Sequence, residues 1–332
     1  MKTTRILYSF FIIMLFSSCF QEEEPIELPQ IGTNSMTFTF EMGSDYSNRF
    51  YFDLSTGAVP TYSKITDWDL AFDNRAGSYY VWLNSSKSMF AANTGYKEFD
   101  IEPDINTLQW SIDIPSGNPD SNAIGNWADF SISNPVSYGY VYVIDLGRDE
   151  NNDILGFMKM KIIACENDHY KIKIADLNGS NEAEISIKRN PLYNFTYLSL
   201  DSKTEILIEP TKTDWDLVFT RYSTAFYVPA FTPYQVTGVL SNPNHTAVAE
   251  VDNIAFEELT INDVLALNYS EEWDAIGYDW KEVDISNGSY TIFTDKVFVI
   301  KDNLGELYKL RFLDFTNSLG ENGFPKIEFQ KM

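Results

Sequence analysis

The sequence is poor in the residues that most active-site chemistry needs. Only two cysteines, Cys19 and Cys165, occur in 332 residues, which excludes a disulfide framework. Only two histidines, His169 and His245, occur, leaving little room for His-rich metal centres or for most acid–base enzymes. Basic residues are scarce too: 24 Lys and Arg stand against 48 Asp and Glu, a net charge of −24. That balance excludes a function built on gripping nucleic-acid phosphates, so no nucleic-acid partner is expected. No Gly-rich phosphate loop, His-Glu-x-x-His or Gly-x-Ser-x-Gly occurs. With so many acids a glycosidase-like carboxylate pair can always be drawn, so it carries no signal. The chain is not expected to be an enzyme.

What is present points to β-structure behind an anchor. Hydrophobic residues make up 44%, and aromatics reach 15%, with 20 Tyr and 24 Phe. Such side chains suit a pleated, half-buried surface. At the N-terminus Lys2 and Arg5 precede an apolar run from Ile6 to Phe16, too short to span a membrane permanently. Ser17 and Ser18 then stand before Cys19, as in the lipobox of bacterial lipoproteins. Residues 1–18 are therefore expected to be a lipoprotein signal peptide, and Cys19 the lipidated residue that ties the chain to the outer membrane. Residues 19–35, with Glu22, Glu23, Glu24, Pro25 and Pro29, read as an acidic tether. Acids directly after a lipidated cysteine resemble the signal that sends some lipoproteins to the cell surface.

The rest of the chain repeats itself. Thr66-Asp67-Trp68-Asp69-Leu70-Ala71-Phe72 returns as Thr213-Asp214-Trp215-Asp216-Leu217-Val218-Phe219. Four further blocks recur in the same order, one upstream and three downstream, among them Ala123-Ile124-Gly125-Asn126-Trp127 with Ala275-Ile276-Gly277-Tyr278-Asp279-Trp280. Two tandem antiparallel β-sandwich-like domains are expected, residues 36–180 and 181–332, joined at the turn-rich Leu177-Asn178-Gly179-Ser180-Asn181. Lys171-Ile172-Lys173-Ile174 alternates with period two, a strand with one wet face. Helical periodicity is confined to the stretch from Phe256 to Leu267. In the Asp-Trp-Asp-Leu block, period two would place Trp68, Leu70 and Phe72 on one face, filling a domain core or forming a surface platform.

The second copy resembles the HmuY family of haem-binding bacterial lipoproteins. The resemblance is carried by Cys19, by Trp215-Asp216-Leu217-Val218-Phe219-Thr220-Arg221-Tyr222 and by Gly238-Val239-Leu240. The block from Gly277 to Trp280, Val297-Phe298-Val299-Ile300 and the closing stretch from Leu307 to Phe315 match in order, and the first copy is a diverged version. The resemblance implies a mostly antiparallel β-fold, haem as ligand, iron acquisition and hand-over to a TonB-dependent receptor. In that family two axial donors, His or Met, lie on loops equivalent to residues 259–275 and 284–289. Those loops hold neither here, and Tyr269 and Tyr278 are the family-placed donors that remain.

Other candidates stand apart from the family positions. His245 lies in Asn242-Pro243-Asn244-His245-Thr246, a turn-like loop, and Met89 lies between Trp82 and Phe90. Both are candidate haem ligands, with His169 a further one. Cys165 reads as a small buried apolar residue, and Asp149-Glu150-Asn151-Asn152-Asp153 as a calcium loop or a polar hairpin tip. The alternative to ligand capture is a structural or adhesion module that presents loops to a protein or glycan without haem.

Overall fold

The computed structural model describes residues 34–132, 134–251 and 253–332. The signal peptide, Cys19 and nearly all of the tether lie outside the described residues. The rest is mostly β, and every strand pair is antiparallel. The expected helix is one turn, Ile261–Val264, started by a capping box between Thr260 and Asp263. Among the described residues no helix is long and apolar enough to cross a membrane.

Four sheets form two sandwiches. The first packs the sheet Ala183–Lys188, His169–Asp176, Phe157–Glu166, Val141–Asp145, Phe90–Asn93 on the sheet Thr204–Ile206, Phe195–Ser199, Leu70–Asp73, Val81–Leu83. The second packs Met36–Thr39, Asn322–Lys331, Leu307–Thr316, Val297–Lys301, Ala247–Val251 on Thr232–Ser241, Leu217–Phe226, Asn48–Asp53, Ala58–Lys64. Period two decides what each strand buries. In Asn48–Asp53, Phe52 enters the second core, while Arg49 and Tyr51 point the other way. In Phe195–Ser199, Leu198 enters the first core, while Phe195 and Tyr197 face away.

The boundary expected at residues 180/181 does not divide the sheets. Ala183–Lys188 pairs with His169–Asp176, and Phe195–Ser199 with Leu70–Asp73, so strands from beyond the boundary complete the first sandwich. Conversely, Met36–Thr39 pairs with Asn322–Lys331, and Asn48–Asp53 with Leu217–Phe226. The reason is the join itself. Asp176 N donates to Ser180 O at 2.9 Å and Gly179 N to Asp176 O at 2.9 Å, which closes a tight hairpin rather than a linker.

The two inner sheets face each other across a seam, and within each a matched polar clamp fastens neighbouring strands. Asp69 N donates to Leu198 O at 2.9 Å, and its carboxylate accepts from Leu200 N at 2.6 Å. Asp216 N donates to Phe52 O at 2.8 Å, and its carboxylate accepts from Leu54 N at 2.8 Å. Asn84 and Asn242 repeat the match: Asn84 Nδ2 donates to Trp68 O at 2.7 Å and Asn242 Nδ2 to Trp215 O at 2.6 Å. The two blocks thus take equal roles in their two sheets. They also correct the one-face expectation. The strands begin at Leu70 and Leu217, so the Trp before each Asp escapes the alternation and packs in the seam.

A fragment of residues 36–180 lacks Ile187, Leu198 and Leu200 of its own core. Losing three buried aliphatic side chains, at ~1.5–3 kcal/mol each, takes away most of the ~5–15 kcal/mol margin of a domain. The fragment is expected to lack a cooperative thermal transition and near-ultraviolet dichroism. A sharp unfolding transition would contradict the exchanged arrangement.

Candidate binding cleft and the cavity behind it

The loop that carries His245 is fixed from below. Asn242 is buried, its N–H donates to Asp216 O at 2.8 Å, and its Oδ1 accepts from Asn244 N at 2.8 Å. His245 takes a left-handed φ of 64°, which turns the chain back sharply and leaves the side chain exposed. It lines a surface cleft of about 770 Å³ with Arg75, Lys212, Glu271, Glu272 and Trp273. Arg75 is held in a bidentate pair by Asp73, with Nε to Oδ1 at 2.9 Å and Nη2 to Oδ2 at 2.5 Å. Its guanidinium lies 5.2 Å from the centre of a Trp273 ring.

Trp273 and Pro243 are also walls of an inner cavity of about 90 Å³ in the seam. Trp68, Trp82, Phe195, Tyr197 and Trp215 line it. Trp273 meets Trp82 at 4.8 Å and Phe195 at 5.6 Å between ring centres. Tyr51 and Tyr197 join hydroxyls at 3.3 Å, and each meets a seam tryptophan edge to face: Tyr51 with Trp215 and Tyr197 with Trp68, both at 4.9 Å. Arg49 is buried against them, its guanidinium 4.9 Å from the Tyr51 ring and 5.5 Å from Trp68.

Burial pushes three carboxyls near the seam up to about 7. Asp113 lines the cavity and is raised against the N–H bonds from Ala123 and Leu83. Glu209 is raised against the amides of Asn194 and Phe195 and the charge of Arg49. Asp216 is raised against the Leu54 N–H.

The donors named from sequence do not share one place. Met89 is 1% exposed in the first core. Tyr269 donates to Val264 O at 3.0 Å and packs with Phe256 and Leu267. Tyr278 bonds the hydroxyl of Tyr234. His169 Nδ1 sits 2.8 Å from Asn167 O. Of these donors only His245 lies in the cleft. Cys165 is buried, its thiol pushed up to about 11 by that burial. Asp149 turns its carboxylate onto Asn151 N and Asp153 N, both at 2.9 Å. Among the described residues no His, Cys, Asp and Glu group could hold a metal ion.

Arg75, Lys212 and Trp273 were invisible as a set because they come from three distant stretches. One signal was there. Gly117, in Pro115-Ser116-Gly117-Asn118-Pro119, has φ +74°, and a Cβ there would lie 2.2 Å from the Trp273 ring. The glycine therefore seats the tryptophan.

The fold and the cleft define an antiparallel β-protein with a surface cleft of ligand size. Residues 192–329 match the family described as HmuY protein. Apo PinO from Porphyromonas gingivitis is similar with 11% identity and a TM-score of 0.30, covering 90% of this chain and 98% of that one. The Tannerella forsythia apo HmuY analog is similar with 10% identity and a TM-score of 0.26, covering 90% and 96%. No curated protein matches the chain.

Two outcomes follow from this geometry. Gly117→Ala meets both a left-handed φ and the Trp273 ring, so it should destabilise by about 1–3 kcal/mol and shift tryptophan emission; unchanged stability and emission would contradict the seating role. The raised carboxyls keep their protons in the folded chain between about pH 4 and 7, where the unfolded chain has lost them. Their contribution to stability is therefore full below pH 4 and declines as pH rises towards 7. Asp216→Asn keeps an oxygen for Leu54 N and should flatten that decline in urea titrations between pH 5 and 8. An unchanged slope would show that Asp216 is ionised throughout.

Proposed function

We propose that the chain is a lipid-anchored, non-enzymatic binding protein that captures haem or a related porphyrin at the cell surface for a TonB-dependent receptor. The observation that carries this reading is His245, an imidazole without a hydrogen bond among the described residues, in a cleft of ligand size. The family match and the lipobox-like residues around Cys19 support the setting.

The residues present suit a porphyrin held through one axial imidazole, as in globins, rather than through two donors. His245 would hold the iron, Trp273 offers an aromatic face, and Arg75 and Lys212 offer positive charge to carboxylate side groups. Bound iron would supply the ligand-to-metal bond that fixes the macrocycle. Glu271 and Glu272 oppose those cations, so charge alone does not hold the ligand.

Haemin titrated into the protein should give a saturable red shift of the Soret band. His245→Ala should weaken it at least tenfold, while Tyr269→Phe, Tyr278→Phe and Met89→Leu should leave it in place. A shift that survives in His245→Ala, or none in either iron redox state, would overturn the reading.

An adhesion role is the second reading, favoured by one feature. The hairpin of Leu217–Phe226 and Thr232–Ser241 ends in an apolar tip, with Phe226 54%, Tyr227 63%, Val228 86% and Phe231 48% exposed. A protein or glycan partner lost on Tyr227→Ser, with haemin silent, would select it.

A further inference from the structure

The seam cavity has a chemistry that the outer cleft does not share. Its wall carries three formally charged residues, Arg49, Arg221 and Asp113. In a chain of net charge −24, this pocket holds more arginine than acid. Neither arginine has an acid in a salt bridge among the described residues. Arg221 donates Nε and Nη2 to the same backbone oxygen, Ser86 O, at 3.0 and 2.9 Å. Arg49 stacks on tyrosine and tryptophan rings, and its Nε has no hydrogen-bond partner. The acid on the wall is fully engaged: Asp113 accepts from Leu83 N at 2.5 Å, Ala123 N at 2.7 Å and Asn122 Nδ2 at 3.2 Å.

Unpaired donors gather on the same wall. Among the described residues the indole N–H groups of Trp68, Trp82 and Trp215 have no partner, nor do the hydroxyls of Tyr222 and Ser241. All are deeply buried: Arg49 is 8% exposed, Trp68 6%, Trp82 5%, Trp215 3%, Ser241 2% and Tyr222 1%. A tryptophan N–H only donates, and a buried donor left unpaired costs about 1–3 kcal/mol. One indole N–H in the first core is paired, Trp127 with Tyr79 O at 2.7 Å, and one in the second core, Trp280, is not; the seam differs in gathering three unpaired indoles beside an arginine. The group that answers several donors and an arginine together is an acceptor-only anion, above all a carboxylate.

We infer that the seam cavity is a second binding site, for a small aromatic carboxylate. The aromatic walls take the ring, and Arg49 with the indole N–H groups takes the carboxylate. Size limits the class. About 90 Å³, at ~10–15 Å³ for each water-sized position, gives room for one substituted ring and not for a porphyrin. Trp273 and Pro243 separate this cavity from the outer cleft, so the way in passes beside them. The inference stands apart from haem capture and survives if haemin does not bind.

Benzoate and its neutral isostere benzamide distinguish the charge from the shape. Benzoate titrated into the full chain should change tryptophan fluorescence saturably, and benzamide should bind at least tenfold more weakly. Arg49→Met should weaken benzoate at least tenfold. Trp82→Phe keeps a ring and removes one N–H, and should weaken it about threefold or more while far-ultraviolet dichroism is retained. Should Arg49→Met fail to fold, the ratio of the two ligands and Trp82→Phe still decide. No saturable change with benzoate at millimolar concentration, or equal binding of benzamide, would overturn the inference.

Discussion

The exchange of strands across the seam is the constraint on which the rest of this structure depends. Each sandwich takes a central strand from the far half of the sequence, and each such strand is fastened by a buried aspartate. Asp69 receives the backbone beyond Phe195–Ser199, and Asp216 receives the backbone beyond Asn48–Asp53. A buried carboxyl bonded to N–H groups is worth keeping only while those groups stay in place, since leaving it unpaired in a low dielectric is strongly unfavourable. The clamps therefore penalise any arrangement in which a half closes on itself. The relation resembles an isologous dimer interface written into one chain, with Tyr51 meeting Tyr197 where a two-fold axis would run.

Both ligand-sized spaces are consequences of that exchange. The cleft takes Arg75 from the first sandwich, and His245 and Trp273 from loops of the second. The inner cavity takes Trp82 and Phe195 from one inner sheet and Val218 and Leu240 from the other. Asn242 links the two levels, since the residue that caps the Asp216 clamp also fixes the loop bearing His245. Stability and ligand geometry are thus held by the same hydrogen bonds. The family match over residues 192–329 runs through both sandwiches, because Phe195–Ser199 lies in the first and Leu217–Phe226 in the second.

Strand identity was legible in the sequence where one face is wet and one is dry. Lys171-Ile172-Lys173-Ile174 shows the alternation that its burial follows. The paired Asp-Trp-Asp-Leu blocks were equally legible as blocks, and each forms the same kind of clamp in its own sheet. What the sequence could not disclose was which partner each strand would choose. A hairpin and a linker can use the same residues, and Leu177-Asn178-Gly179-Ser180-Asn181 suits either. The seam tryptophans escaped because a single turn residue ahead of the strand shifts the side chain off the alternation. At the site, His245 could be picked out as an isolated donor, while Arg75, Lys212 and Trp273 owe their proximity to the fold alone.

Calorimetry tests the exchange most directly. Interlocked sandwiches sharing strands and clamps should melt as one unit, with a single heat-absorption peak and a calorimetric enthalpy equal to the van't Hoff value. Two separable peaks, each with the enthalpy of about half the chain, would contradict it.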